Sequence, residues 1–329
     1  PICGRSSAKR RCAVIIASRS PTPKSRSRSE AAPITWVENA SKHDRERYKT
    51  EWLPYIEREL GDRKLSFAPL TSLRQLEDAY MIAPFGSFTL ELVRQPRGDS
   101  KLTYLSNASS FGAVQTLRVH DSRASRAGIE YLVESPFIGA LEALELMNNN
   151  IGAGGIRAIA LSERLSGLET LFLDHCHEHS ESYAILAEAD TLASITSLWL
   201  GGFMLSEWVL EVLLASPLMQ NLEHLWLMNT QLLSSGVEML ANAPALHSLK
   251  TLNLVGNGMG NEGALALANS PVLGNLEHLG VTFQTMFNPM EYYMHTDVFV
   301  GEEGAAALAD SNHLNLTEEE RQKFREHFA

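Results

Sequence analysis

Six potential metal ligands stand in a row at residues 174–179, as Asp-His-Cys-His-Glu-His. Imidazole, thiolate and carboxylate groups are the ligands that hold zinc in proteins. Consecutive residues do not readily converge on one tetrahedral ion, however. The spacing of the surrounding leucines directs Cys176 inward and leaves His175, His177 and His179 on an exposed turn. We therefore predict that this run holds no specific metal ion.

A second candidate is the sequence Gly258-x-Gly260-x-x-Gly263, which matches the phosphate-binding turn of dinucleotide-binding folds. The last two glycines recur at equivalent places elsewhere in the chain, which gives them a structural explanation. The acid that would bind a ribose about 20 residues further on is missing. Residues 281–283 read Val-Thr-Phe instead. We therefore expect no cofactor.

Other reactive residues do not fall into catalytic spacings. The sequence contains no Gly-x-Ser-x-Gly nucleophile turn, no His-Glu-x-x-His zinc-protease motif and no P-loop for nucleotide phosphates. Each of these motifs places a nucleophile, a base or a phosphate cradle at a fixed point of a fold. The sequence therefore predicts a protein that is not an enzyme.

Charge is divided unevenly along the 329 residues. Residues 1–29 contain eight Lys or Arg and no acid, which leaves 20 basic and 39 acidic side chains, or −19, for residues 30–329. An acidic body repels phosphate, so we expect no nucleic-acid partner. The three cysteines are too few for a disulfide framework, and no apolar run approaches the roughly 20 residues that span a bilayer. We therefore predict a cytoplasmic protein with no membrane partner.

A 27-residue repeat organises most of the chain. Successive units begin with an aliphatic residue at Val114, Leu141, Leu168, Ile195, Leu222, Leu249 and Leu276. The fourth and sixth positions are also aliphatic, which is typical of a short strand with alternate side chains buried. The ninth position is often polar, as at Asn149 and Asn257, and suits hydrogen bonds to the backbone where the chain leaves the strand. The second half of each unit has helical spacing, and proline often follows it.

This pattern resembles the leucine-rich repeats of the ribonuclease-inhibitor-like class, and it is similar to bacterial leucine-rich-repeat proteins with 27-residue units. The resemblance covers about residues 87–314 and implies an α/β solenoid with one strand and one helix per unit. Strands stack about 4.8 Å apart, whereas packed helices need about 8–10 Å. The stack must therefore curve, with parallel strands on the concave face and helices on the convex face. Ser182 replaces a glycine and Phe203 replaces an asparagine, which predicts irregular turns there.

The chain divides into four predicted segments. Residues 1–37 form a disordered basic Ser/Arg-rich tail, and 38–86 an N-terminal helical cap region with a helix over 41–60. Residues 87–316 form the solenoid. Residues 317–329 form a C-terminal capping helix, opened by a Thr-x-x-Glu capping box that begins at the first of them. Whether the tail is a functional arm or sequence upstream of the true start stays open.

An open, rigid sheet suits the binding of a protein better than the enclosure of a small molecule. We therefore predict a non-catalytic protein-protein interaction scaffold that binds a protein partner on its concave face. The resemblance implies one alternative, because some ribonuclease-inhibitor-like solenoids are GTPase-activating proteins. That activity would need an exposed arginine that reaches into a partner's active site. Arg118, Arg123 and Arg126 are the candidates.

The predicted partner-binding residues lie at outward positions of the strands and in an insertion of 14 residues near 282–300. They are Phe172, Trp199, Trp226, Met147, Met228, His224, His278, Glu145, Phe287, Tyr292 and Tyr293. The first three are aromatic and align on successive strands, and interface hot spots are enriched in Trp. Two alternatives stay open. The rings could simply cover the sheet by stacking on each other, and the inserted loop could cover the last layer of the core.

Overall fold

The computed structural model describes residues 65–66, 69–79, 86–176, 180–281 and 300–326. Along these residues short strands alternate with helices. The predicted tail, the predicted helix over 41–60 and the inserted loop at 282–299 lie outside the described residues. The predicted boundaries at residues 37 and 38 therefore stay predictions.

Within the described residues, nine parallel strands form one sheet, and their order in space is their order along the chain. They are β1 (Leu65–Ser66), β2 (Gly86–Glu91), β3 (Val114–Arg118), β4 (Ala143–Glu145), β5 (Thr170–Phe172), β6 (Ser197–Trp199), β7 (His224–Trp226), β8 (Thr251–Asn253) and β9 (His278–Gly280). From β3 to β9 each strand pairs with the residues 27 positions further on, as Leu144 pairs with Leu171. The predicted α/β solenoid with parallel strands is therefore confirmed.

The leucines at the fourth and sixth positions form the core. Leu144, Leu171, Leu198 and Leu225 are all 0% exposed, and so are Leu146 and Leu173 two residues further on in their units. Consecutive side chains of a strand point to opposite faces of its sheet. The third, fifth and seventh positions therefore face away from the core. We call the surface that they form the strand face.

Helices follow most of the strands and lie on the other side of the core. They are α1 (Leu73–Ala79), α2 (Gly98–Ser106), α3 (Arg126–Val133), α4 (Gly152–Ala160), α5 (Glu207–Leu214), α6 (Leu233–Ala241), α7 (Gly260–Ala268), α8 (Glu302–Asp310) and α9 (Glu318–Glu326). The unit that begins at Leu168 has a 3-10 helix, Ser180–Glu188, in place of the α-helix. The unit with Phe203 carries the regular helix α5. The helix is thus irregular in the first of these units and regular in the second, and the predicted irregularity of the two turns stays a prediction.

Polar side chains at the ninth position hold the turns that lead off the strands. The Oδ1 atom of Asn149 accepts hydrogen bonds from the backbone N–H groups of Ser122 and Ala124, at 3.2 and 3.0 Å. The thiol of Cys176 takes the same role one unit later and donates to the Leu146 carbonyl at 2.8 Å. These groups are buried, so an unpaired N–H group here would cost the full loss of its hydration. The ninth position thus links each turn to its neighbour.

The glycines at residues 258–263 are explained by the repeat. Gly260 begins α7 with a φ of 58°, and Gly152 begins α4 with a φ of 59° at the same place in its unit. This left-handed conformation favours glycine because it has no Cβ. A Cβ on Gly263 would lie 2.7 Å from the Cβ of Met259. Turn geometry and close packing therefore account for the pattern without a bound nucleotide.

The helix α9 lies against the end of the last unit. The backbone N–H of Glu320 donates to Thr317 Oγ1 at 3.2 Å, as the capping box predicts, and Phe324 is buried. The guanidinium of Arg321 donates to the carbonyls of Ala309 and Ser311, at 2.7 and 2.9 Å, and so satisfies the C-terminal end of α8. Within the described ranges, no helix is both long and apolar enough to cross a membrane.

Candidate functional site

A row of aromatic side chains crosses the middle of the strand face. Phe172 pairs in register with Trp199, and Trp199 with Trp226, so the three fifth-position side chains lie on β5, β6 and β7. The rings of Trp199 and Trp226 are stacked, with centroids 3.8 Å apart and planes at 7°. Phe172 meets Trp199 edge-on at 5.1 Å and 63°. We call these three residues the aromatic row.

The aromatic row is half-buried rather than fully exposed. Its rings cover part of each other, and the imidazole of His224 adds a contact at 5.7 Å from Trp226. Stacking between the rings, one of the two alternatives left open by the sequence, is therefore present. It leaves the outer edges of the rings on the surface of the sheet. Met147 on the β4 side and Met228 on the β7 side, both at the seventh position, are also half-buried.

Charged side chains form a network on the β2 to β4 side of the aromatic row. Arg118 donates through Nε to Glu145 at 2.9 Å and through Nη1 to Glu91 at 2.7 Å. His120 Nε2 lies 3.3 Å from Glu145 Oε2. Burial alone would raise the pKa of Glu145, but the nearby His120 and the hydrogen bonds from Arg118 outweigh it and lower the pKa below its usual value. Glu145, predicted to bind a partner, is therefore engaged within the protein.

The same network bears on the arginines considered for a GTPase-activating role. Arg118 is half-buried between two carboxylates. Arg126 pairs with Glu130 at 2.7 Å, one helical turn further along α3. Arg123 is exposed. An arginine that enters a partner's active site must be available to it, so the geometry of Arg118 does not favour that role.

Small and polar side chains bound the aromatic row on its β8 and β9 side. Lys250 donates to Glu223 at 2.8 Å. Asn253 lies within 2.8 Å of the place that a Cβ on Gly280 would take, so the fifth position of β9 offers backbone and no side chain. His278 is exposed, with Nδ1 at 3.5 Å from Glu320 Oε1. The predicted residues His224 and His278 therefore lie on the strand face, beside the aromatic row and at the end of the sheet.

The structure bears on the hypothesis of a metal site at residues 174–179, but it does not describe the inserted loop. Burial raises the pKa of the Cys176 thiol to about 12, so this sulfur is a protonated donor inside the core. In the part of the chain that the structure describes, no cluster of three or more His, Cys, Asp or Glu could hold a metal ion. Residues 177–179 lie outside that part. So do the loop residues Phe287, Tyr292 and Tyr293, whose role stays a prediction.

Sequence reasoning missed exposed apolar side chains in the two units that carry Trp199 and Trp226. Met204, Trp208, Val212 and Leu233 are large hydrophobic side chains with high exposure. Two of them, Trp208 and Val212, lie four residues apart on α5, on the same side of that helix. This spacing was a usable signal, because the buried residues Val209 and Leu213 are also four residues apart, each one position further on. Trp208 and Val212 therefore fall outside the buried face of α5. The other two precede or begin a helix and give no such pattern.

Residues 141–160 and 245–268 match a family model described as Leucine Rich repeat. Together with the sheet of parallel strands, these two matches fit a leucine-rich-repeat protein. The match does not single out the bacterial class with 27-residue units. Leucine-rich repeats commonly mediate protein–protein interaction, and the family is generally non-enzymatic. No curated protein of similar sequence was found.

Proposed function

We propose that this leucine-rich-repeat protein is a non-catalytic scaffold that binds a protein partner on its concave strand face. The observation that carries the proposal is the aromatic row, three large rings in register on β5, β6 and β7. The repeat needs leucine at the inward positions and places no such demand on the fifth. Phe172, Trp199 and Trp226 are therefore not explained by the solenoid itself.

The aromatic row has the properties of an interface centre. Trp is enriched among the residues that dominate binding energy, and such residues cluster near the middle of an interface. The stacked rings of Trp199 and Trp226 restrain each other. Fewer side-chain rotations are therefore lost when a partner covers them, and that loss is one of the main costs of association. Met147 and Met228 adapt well to the shape of a partner because their side chains are unbranched.

Carboxylates beside the row favour a partner with positive charge near its apolar contact. Glu142 and Glu169 are exposed at the start of β4 and β5. Charges at the rim of an interface mainly set the rate of association and its dependence on salt. The acidic character of the chain disfavours nucleic acid as the partner. A cytoplasmic location, favoured by the small number of cysteines, stays a prediction.

Single replacements on the strand face test this proposal. Trp199→Ala and Trp226→Ala should each weaken binding to a partner isolated from the native source by about 2 kcal/mol, roughly 30-fold in Kd. Tyr131→Ala is the matched control, because this ring lies on α3 and is 53% exposed. Binding is measured by isothermal titration calorimetry, and circular dichroism checks the fold. If both Trp variants bind as tightly as the parent protein, the strand face is not the interface.

A further inference from the structure

The three units that carry the aromatic row have no positive side chain of Lys or Arg. Between Arg164 and Lys250 the sequence contains neither residue type. The same stretch contains ten acids: Glu169, Asp174, Glu178, Glu181, Glu188, Asp190, Glu207, Glu211, Glu223 and Glu238. Unbalanced charge of one sign raises the local concentration of ligands of the opposite sign. The middle of the solenoid therefore attracts a cationic ligand.

Exposed apolar side chains gather in the same units. The described residues include eight large hydrophobic side chains with high exposure, and four of them lie between residues 204 and 233. These four are Met204 at 61%, Trp208 at 49%, Val212 at 41% and Leu233 at 52%. Together we call them the edge patch. Clustered apolar exposure on a soluble protein marks a surface that another molecule covers.

Hydrogen bonds show that the edge patch spans two neighbouring units. The backbone N–H of Leu205, next to Met204, donates to the Thr230 carbonyl at 2.8 Å. The hydroxyl of Ser235, two residues after Leu233, donates to Glu207 Oε1 at 2.6 Å, and Glu207 precedes Trp208. The patch thus lies where β6 and β7 turn into α5 and α6. Trp199 and Trp226 end those same strands, five residues before Met204 and seven residues before Leu233.

Leu233 keeps an unfavourable backbone conformation at this edge. It begins α6 with a φ of 55°, where Gly152 and Gly260 begin their helices with φ values of 59° and 58°. A leucine is strained in the left-handed region, and glycine is not. The leucine side chain is half exposed, so core packing does not compensate for this strain. Strain of this kind is found at sites that bind other molecules.

We propose that the binding surface continues from the aromatic row over the edge patch, and that its occupant is a segment of another protein rich in Lys and Arg with large apolar side chains. This inference rests on the proposed function and names the chemistry of the partner. The apolar side chains would cover the edge patch, while the cationic side chains would face Glu207 and Glu211 on α5. A second copy of this chain is a poor occupant, because the same acidic units would face each other.

Selected peptides supply a defined probe. Random 12-residue peptides displayed on phage are selected on the full chain, and the tightest is labelled with fluorescein for anisotropy titrations. The expected sequences combine Lys or Arg with Trp, Phe or Leu. Peptides without positive charge, or with an affinity that does not fall with rising salt, would overturn the proposal.

Replacements in and near the edge patch separate binding from folding. Trp208→Ser should weaken the peptide at least fivefold, whereas Tyr131→Ser, of similar exposure on α3, should not. Leu233→Gly introduces the glycine that Gly152 and Gly260 supply in two other units, so it should raise the melting temperature while it weakens the peptide. If Leu233→Gly stabilises the protein and leaves the affinity unchanged, the leucine is merely tolerated and the proposal fails. Glu207→Gln with Glu211→Gln should reduce both the affinity and its salt dependence.

The variants of the aromatic row distinguish this inference from the proposed function. Loss of binding in Trp226→Ala but not in Trp208→Ser leaves the strand face as the interface and overturns the continuation over the edge. Loss in Trp208→Ser alone overturns the proposed function and the continuous surface together. A synthetic peptide of residues 1–29, with eight Lys or Arg, is the last probe. Saturable binding of that peptide in competition with the selected one would assign the surface to this chain itself and overturn a separate partner.

Discussion

Replacement of Asn257 by alanine tests how the turns of the solenoid are held. Asn257 is 1% exposed, and its Oδ1 accepts from the backbone N–H groups of Thr230 and Leu232, at 3.0 and 3.3 Å. The same atom accepts from the Thr230 hydroxyl at 2.7 Å. Its Nδ2 donates to the Leu254 carbonyl at 3.0 Å. Asn257→Ala removes all of these partners and leaves two buried N–H groups without an acceptor.

The expected loss follows from those two groups. Each buried donor left unpaired costs about 1–3 kcal/mol, and the Thr230 hydroxyl keeps the Leu227 carbonyl as an alternative acceptor at 2.9 Å. Asn257→Ala should therefore lower the free energy of unfolding by about 3 kcal/mol. Urea denaturation measures the loss. Amide hydrogen exchange at Thr230 and Leu232 should accelerate more than exchange in the distant strand β3.

Asn275→Ala is the matched control for this prediction. Asn275 is exposed, and its amide makes a hydrogen bond to the His247 carbonyl at 2.8 Å, where water is able to replace it. We expect a loss of less than about 0.5 kcal/mol. A loss below about 1 kcal/mol for Asn257→Ala would refute the reasoning, because it would mean that water satisfies the turn as well as the side chain does.

Three further predictions concern the thiol, the charge network and one turn. Because burial raises the pKa of Cys176 to about 12, its peptide should stay unlabelled by iodoacetamide in the native protein near about pH 8 and label readily in urea, as mass spectrometry would detect. The pKa of Glu145 is lowered in the folded state from its usual value of 4.5. The contribution of this side chain to stability is therefore fully present above pH 4.5 and is lost as the pH falls through the lowered pKa. The melting temperature of Glu145→Gln should therefore fall less with decreasing pH than that of the parent protein. Equal slopes of melting temperature against pH would contradict this. Gly202→Ala should lower the free energy of unfolding, measured in urea, by about 1–3 kcal/mol, because the φ of 85° is strained for alanine and a Cβ would meet the His175 ring. Adding His175→Ala should recover only the part of this loss that comes from the contact with the ring.

The repeat made the strands and the core predictable from the sequence. A period of 27 fixes which residues neighbour each other across the sheet, and the alternation of leucines fixes which side they face. The same logic reaches the charge network, because Glu91, Arg118 and Glu145 are each one period apart. Their ion pairs were therefore available from the sequence and were missed. Side chains treated one by one as surface charges are in fact neighbours.

Helix type was less predictable, because one position does not decide it. Ser182 and Val209 both stand where several other units have glycine. The first lies in a 3-10 helix, whereas the second is fully buried within α5. Loss of the glycine is thus compatible with a regular α-helix. The residue at this position therefore does not by itself predict the helix type of its unit.

The strand face separates what the solenoid requires from what it leaves free. Inward positions are aliphatic from unit to unit, and mostly leucine, since each core layer must pack on the next. The fifth position instead changes from charged Arg118 and Glu145, through the aromatic row, to Asn253 and Gly280. Large rings at a position that the fold leaves free are confined to three adjacent units, and those units lack Lys and Arg, as does the sequence between Lys250 and Arg321. The packing of the solenoid requires neither feature, and both motivate the proposal of a cationic, apolar partner for these units.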